Sequence, residues 1–460
     1  MRIMKFGGSS VADAGRIKAV GNIVQQAVQE GPVALVFSAM KGVTNSLLEA
    51  ADLAQAGQSG FWEILQDLRT RHEETLGELI PDGDTTGTAQ GVAQLLEELS
   101  ELLHGVSLVR ECSPRTRDLV ASFGERLSCP IIAAYLVSLG SPAQWVDARE
   151  MILTDENHGN ALVKTSRTYQ AIATHLHAVE GIPVITGFIA ATSQGVTTTL
   201  GRNGSDYTAA LVGAAMAASA VEIWTDVDGV MSADPRYVDR AFVIPDLSLQ
   251  EAMELSYFGA EVIHPYTMIP SVERHIPLWI KNTLRPSARG TRITQESPET
   301  DHTITGIASI ENVALINVQG GGMLGIPGIA SRVFGALARA DVNVIMISQA
   351  SSEHSICICV RESELHRACE FLRQELRTEL ESRRIEQFEE QPSLEIIAVI
   401  GAMMRGHPGI AGKLFSALGD SGLNVLAIAQ GSSEMNISFV INREDRKAAL
   451  NVVHDAFFPA

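Results

Sequence analysis

Paired cysteines, an excess of positive charge and a long apolar run are all missing from this 460-residue chain. Its 5 cysteines, Cys112, Cys129, Cys357, Cys359 and Cys369, are odd in number and lack Cys-x-x-Cys spacing. That pattern argues against a disulfide frame or a zinc site and for reduced, buried thiols. A formal net charge of -19 argues against nucleic-acid or anionic-membrane partners, which draw their affinity from clustered Lys and Arg. Anionic small substrates stay open, because screening confines exposed charges to about 8 Å at physiological salt. The longest apolar run, residues 209–221, falls short of the roughly 20 residues a membrane span needs. The opening Met1-Arg2-Ile3-Met4-Lys5 runs straight into a glycine turn without the apolar stretch of a signal peptide. A cytoplasmic protein is expected.

What is present is the composition of a packed globular protein, 45% hydrophobic and 19% charged, with 39 Gly and 17 Pro. Single domains seldom pass about 250 to 300 residues, so two or three domains are expected. The first 285 residues alternate short apolar runs with helical patterns, as an α/β domain with a mainly parallel sheet does. Strands are predicted at 3–6, 33–38, 143–147, 182–186, 221–225 and 278–281, with ligands expected at their polar or glycine-rich C-terminal exits. Residues 286–302 read as a linker. Beyond it the chain repeats itself: Gly325-Ile-Pro-Gly-Ile-Ala through Gln349-Ala-Ser-Ser-Glu353 returns 81 residues later as Gly406-His-Pro-Gly-Ile-Ala through Gln430-Gly-Ser-Ser-Glu434. Two α+β units of the βαββαβ type are predicted, at 303–391 and 392–460. The second copy ends before a last strand can form, so residues 304–310 are expected to complete the pair.

Three segments carry candidate chemistry. Lys5-Phe6-Gly7-Gly8-Ser9-Ser10 places a cation and two glycines at a strand exit, where backbone N-H groups can approach phosphate oxygens. A plain tight turn explains a glycine pair equally well, and neither a Walker loop nor the protein-kinase signatures are present. Gly201-Arg202-Asn203-Gly204-Ser205-Asp206 joins an Arg suited to carboxylates to an Asp at a helix start, or is an N-capped helix with a surface ion pair. Thr225-Asp226-Val227-Asp228-Gly229 with Asp234-Pro235-Arg236 either holds a nucleotide or is an Asp-Gly turn. None of the bland readings accounts for the three together.

In matching order, these segments with Ser38-Ala39-Met40, Thr44-Asn45, Ser122-Phe123-Gly124-Glu125, Phe258-Gly259-Ala260 and His264-Pro265 resemble the aspartate kinases, and the repeat resembles that family's paired ACT domains. Details such as Arg202-Asn203-Gly204 and the two Gln-x-Ser-Ser-Glu segments are similar to the kinase half of bifunctional aspartokinase/homoserine dehydrogenases. The resemblance implies an amino-acid-kinase-type three-layer sandwich over 1–285 followed by two ACT-like regulatory domains. It implies transfer of the ATP γ-phosphoryl group to the β-carboxylate of L-aspartate, the first step towards lysine, threonine and methionine, with Mg²⁺ on the phosphates and no protein metal cage. Lys5 and Asp206 would be catalytic; Lys5, Phe6, Gly7, Gly8, Ser9, Thr225, Asp226, Met231, Arg236 and Glu261 would face ATP; Thr44, Glu125, Arg202 and Ser205 would bind aspartate. Two positions depart from the family: Met231 stands where many relatives carry Tyr, and Glu261 replaces a usual Lys. For the repeats, Asn343, Ile347 and Gln349 with their counterparts Asn424, Ile428 and Gln430 are candidate contacts for an amino-acid effector, threonine or lysine. The polar four, Asn343, Gln349, Asn424 and Gln430, could instead only cap strands and turns, but duplication of the whole surround favours binding. Edge-exposed repeats predict a homodimer or a higher homo-oligomer. The rival readings are a kinase of another acid, such as glutamate or N-acetylglutamate, and an amino-acid sensor without activity.

Overall fold

The computed structural model describes residues 1–81, 83, 84, 86–259, 265–296, 302–320, 328–349 and 355–459. They form two compact units, one comprising Met1–Val230 and His264–Glu296, the other Met231–Ile263 and Ser297–Ala460.

In the first unit seven strands, β1 Arg2–Phe6, β2 Val33–Phe37, β3 Ala143–Val146, β4 Ile182–Thr186, β5 Ala220–Thr225, β6 Leu278–Asn282 and β7 Thr291–Thr294, lie in the order β3-β4-β2-β1-β5-β6-β7. All pairings are parallel except the antiparallel β6–β7. The six predicted strands are all there. The predicted linker is not wholly a linker: Thr291 and Ile293 alternate inward and are fully buried, so four of its residues extend the sheet. One face of the sheet packs Met4, Phe6, Leu35 and Phe37 against helices Ala14–Glu30, Val43–Gln55 and Pro114–Ser138. Its other face meets helix Gly204–Ala215, and the result is the three-layer α/β sandwich expected. Helix Pro114–Ser138 is long and apolar enough to cross a membrane, but 89% of that stretch is buried inside the fold.

The second unit is built on two 14-residue antiparallel strands, β8 Gly306–Gln319 and β11 Gln387–Ile400. With β9 Met346–Gln349, β10 Ser355–Arg361, β12 Ala427–Gln430 and β13 Asn436–Asn442 they give the order β9-β10-β8-β11-β13-β12. A bulge after Ile310 divides β8. Its Gly306–Ile310 part pairs with Ile396–Ile400 and supplies the strand missing from the second copy, while residues 313–319 serve the first. Each copy has its own apolar core, around Val333, Ile358 and Leu372 in the first and Leu414, Phe439 and Leu450 in the second.

Residues 231–259 pack with this second unit although the sequence places them inside the catalytic stretch. The physical reason is apolar: Ala233 and Val238 are buried in one cluster with Ile304, Ile397 and Leu450. Helix Leu249–Tyr257, opened by a Ser248/Glu251 capping box, adds polar ties. Glu251 accepts from the Ala402 N-H at 3.0 Å, Asn436 donates to Glu254 at 2.9 Å, and the Tyr257 hydroxyl donates to the Ile345 carbonyl at 3.0 Å.

Candidate active site

The period of two along β1 sorts the opening motif. Phe6 points into the helical core, where its ring stacks between Phe37 at 5.2 Å and Trp224 at 5.9 Å, so its side chain has no access to a nucleotide. That corrects its expected place among the ATP contacts. Lys5 points the other way, towards helix Gly204–Ala215, and its Nζ lies 2.5 Å from Asp206 Oδ1, each side chain only 11% exposed. Asp206 sits in the first helical turn, where the positive end of the helix dipole favours an anion. Beyond Phe6 the chain bends at once: Gly7 donates to the Trp224 carbonyl at 3.2 Å, and Gly8 opens a short 3-10 turn. A Cβ on Gly7 would begin 3.5 Å from Lys5 Nζ, so glycine keeps the approach to the ammonium open.

The neighbouring strand exits bring the other groups to the same level. Ser38, just after β2, donates its N-H to the Phe6 carbonyl at 3.2 Å and its hydroxyl to Ser205 Oγ at 3.0 Å. Helix Pro114–Ser138 comes close because Gly124 has no side chain: a Cβ there would stand 2.7 Å from Ala39 Cβ. The next residue, Glu125, accepts from the Ala39 N-H at 3.0 Å through Oε1, while Oε2 is buried without a hydrogen-bond partner. Burial pushes the Glu125 carboxyl up to about 8, opposed by the Ala39 N-H and by the charge of Lys5. Thr44, half-buried, lies in the first turn of helix Val43–Gln55, and Arg202 is exposed on the loop before Asn203, which caps its helix at φ 56.

Thr225 and the exposed Asp226 leave β5 on the same edge. The Thr225 carbonyl accepts from Thr283, and Asn282 holds Asp228 at 2.7 Å. Ser10 completes the edge by sharing a 2.7 Å contact with Thr283. The structure thus brings Lys5, Gly7, Gly8, Ser205, Asp206 and Glu125 together in one unit. Met231 and Arg236 belong to the other unit, where the Arg236 guanidinium is held by Asp234 at 2.6 Å and Glu311 at 3.4 Å. Glu261 lies outside the described residues. Sequence reasoning did not assign roles to Ser38, Thr283 or Asn282; a polar residue at or within two positions of a predicted strand end was the signal available.

The six effector candidates all lie in the second unit. Ile347 and Gln349 are on β9, Ile428 and Gln430 on β12, and Asn343 and Asn424 precede them; all six are exposed. Ile347 and Ile428 are 45% and 44% exposed, nearly equal at equivalent positions of the two outermost strands. Those strands approach each other, with the Ser348 hydroxyl donating to the Ile428 carbonyl at 2.8 Å.

Comparison with known proteins agrees with this architecture. The sequence profile of the Amino acid kinase family matches residues 1–282, and that of the ACT domain matches 316–376 and 397–457. The chain is 38% identical over 464 residues to bifunctional aspartokinase/homoserine dehydrogenase 2, chloroplastic, of Arabidopsis thaliana, covering 99% of this chain and 50% of that protein. It therefore spans about half the length of such bifunctional relatives. To Aspartokinase 1, chloroplastic, of Arabidopsis thaliana it is 37% identical, covering 99% of this chain and 80% of that one. Among solved structures, E. coli aspartokinase III in complex with aspartate and ADP is 30% identical, covers all of both chains and superposes with a TM-score of 0.80. Clostridium acetobutylicum aspartate kinase, at 27% identity, gives 0.84 over 99% of this chain and 100% of its own. By its profile match over more than half its length and its likeness to whole aspartokinases, the chain belongs to the amino acid kinase family, among the aspartokinases.

Proposed function

We propose that the chain transfers the γ-phosphoryl group of ATP to the β-carboxylate of L-aspartate, giving 4-phospho-L-aspartate. The observation that carries this reading is the Lys5–Asp206 pair, set at one strand-exit edge with the buried, half-satisfied carboxyl of Glu125. An aspartate side chain, with an ordinary pKa of about 3.9, is already ionised at neutral pH, so no general base is required. The obstacle is electrostatic, an anion meeting a polyanion, and catalysis consists of in-line placement and neutralisation. Lys5, kept on the reacting side by Asp206, neutralises charge in transfer, and Gly7, Gly8 and Ser9 offer main-chain donors to the phosphates. Glu125 receives the substrate ammonium, Arg202 a carboxylate, and Thr44 and Ser205 complete the acid site. Thr225 and Asp226 line the nucleotide; Met231, Arg236 and Glu261 are the remaining candidates for it. Among the described residues no group of three or more His, Cys, Asp or Glu side chains is placed to hold a metal. Mg²⁺ is read as entering on the triphosphate, as part of the substrate, because it keeps several waters and is commonly bound through substrate phosphates.

The ACT pair is read as a sensor of an end-product amino acid. One solved relative, E. coli aspartokinase III, is described in complex with aspartate and ADP and, separately, with lysine and aspartate, which favours lysine as effector here, with threonine the alternative. Five free cysteines suit a reducing cytoplasm, and the exposed edge strands suit a homodimer. Supplying ATP and Mg²⁺ with aspartate, glutamate or N-acetylglutamate in the presence of hydroxylamine, which traps acyl phosphates, tests the assignment. Hydroxamate is expected with aspartate; formation only with another acid, or with none, overturns it.

A further inference from the structure

We infer that Asp118 and His158 are positioning residues for Arg202, so that a buried hydrogen-bond knot behind the Arg202 loop sets affinity for the acid substrate. The inference rests on the proposed function and adds to it two residues that no role has yet been given. Asp118, in the first turns of helix Pro114–Ser138, is 3% exposed. Its Oδ1 accepts from the Thr199 hydroxyl at 2.7 Å and the Gly159 N-H at 3.1 Å, and its Oδ2 lies 2.7 Å from His158 Nδ1. One buried carboxylate therefore ties three pieces of chain: the helix, the turn at 157–160 and the end of strand Thr197–Thr199. The Ala161 N-H donating to the Thr199 carbonyl at 2.9 Å closes the same junction.

This junction abuts the Arg202 loop. Gly201 holds φ +74, and a Cβ on it would stand 2.6 Å from Asn160 Oδ1, so the turn pinned by Asp118 presses on the residue directly before Arg202. The Gly204 N-H bonded to the Gly201 carbonyl at 3.1 Å passes that placement to the helix start carrying Ser205 and Asp206. Arg202 itself is exposed and, among the described residues, makes no hydrogen bond or ion pair. Its guanidinium is aimed only by its backbone, and the backbone is fixed by the knot.

Asp118→Asn keeps one acceptor and loses the charge that holds His158 and Gly159. In the full chain its aspartate KM is expected to rise about tenfold, the scale of a small misplacement of a binding group, with ATP KM within about twofold of the parent. His158→Ala should raise aspartate KM in the same direction, and His158→Asn, which restores a donor, should recover part of it. Hydrogen exchange should quicken at amides 199–204 in both Asp118→Asn and His158→Ala. Aspartate KM unchanged in both variants, or aspartate and ATP KM rising in parallel, overturns the inference while the proposed function stands. Faster exchange at 199–204 in a chain that phosphorylates no aspartate upholds the positioning and removes the function instead.

Discussion

The two units use charge in opposite ways. At the strand exits of the first, buried groups are left incompletely matched: Glu125 Oε2 has no hydrogen-bond partner, and the Lys5–Asp206 pair opens on a glycine turn. In the second, most charges close on one another: Arg332 reaches Glu375 at 2.9 Å and Glu379 at 2.6 Å, and Arg446 reaches Glu311 at 2.8 Å. Among the described residues the one buried acid there without a hydrogen bond, Glu395, still lies 3.1 Å from Arg446. Unmatched buried polar groups cost stability, and at the strand exits a ligand can complete them. Removing a charge should therefore stop chemistry in the first unit and leave it untouched in the second. Lys5→Ala is expected to lower turnover by about 100-fold or more, the loss seen when one oriented stabilising group is removed. Arg332→Ala should leave turnover within about twofold of the parent. Comparable losses in the two variants, measured by phosphoryl transfer with circular dichroism as the control for folding, would erase the distinction.

The Glu125 carboxyl sharpens the contrast through pH. With its pKa at about 8, it is largely protonated at neutral pH, and binding an ammonium requires it to lose that proton. Aspartate KM should fall as pH rises from 6 to 8, by up to about tenfold per unit at the acid end, and flatten above 8. Glu125→Gln should flatten the profile throughout; a profile that keeps its slope in that variant assigns the proton elsewhere.

How much of this was legible beforehand follows from where the information sits. Strand positions were, because fully buried runs such as Val33–Phe37 announce themselves by composition. The duplication was, down to Gly306–Ile310 completing the second copy, since an 81-residue repeat short of one strand must borrow it. Lys5 and Asp206 stand 201 positions apart, and their 2.5 Å contact depends on which helix covers β1, a tertiary fact that neither motif encodes. Phe6 was misplaced because a motif read as a string ignores the alternation that turns every second side chain into the core. The attachment of 231–259 to the second unit was hidden for a related reason: Ala233 and Val238 look like any loop residues until their partners, from Ile304 onwards, are in place.

Edge strands β9 and β12 offer a weaker test. If Gln349 and Gln430 contact an effector, replacing either with Ala should raise the half-inhibiting concentration of threonine or lysine about tenfold, within the 5- to 150-fold range of allosteric couplings, and leave uninhibited turnover alone. Insensitivity of the unmodified chain to both amino acids would remove the sensing role for those effectors.

The smallest effect concerns the second unit's own buried acid. Glu395, on β11, is fully buried beside Arg446 at 3.1 Å, and burial pushes its carboxyl up to about 7, with Glu311 adding to the shift and Arg446 and Arg443 opposing it. The folded chain thus holds a proton that the unfolded chain gives up near 4.5. The stability this contributes is complete below that value and is lost as pH rises towards 7. Glu395→Gln, an isostere that cannot ionise, should abolish the loss, gaining on the order of 1 to 2 kcal/mol on the parent between pH 5 and 8. All four Trp, at 62, 145, 224 and 279, lie in the first unit. Urea unfolding should therefore show the gain by circular dichroism and not by Trp fluorescence; a shift in both would tie the two units' stabilities together and dissolve the division of labour between them.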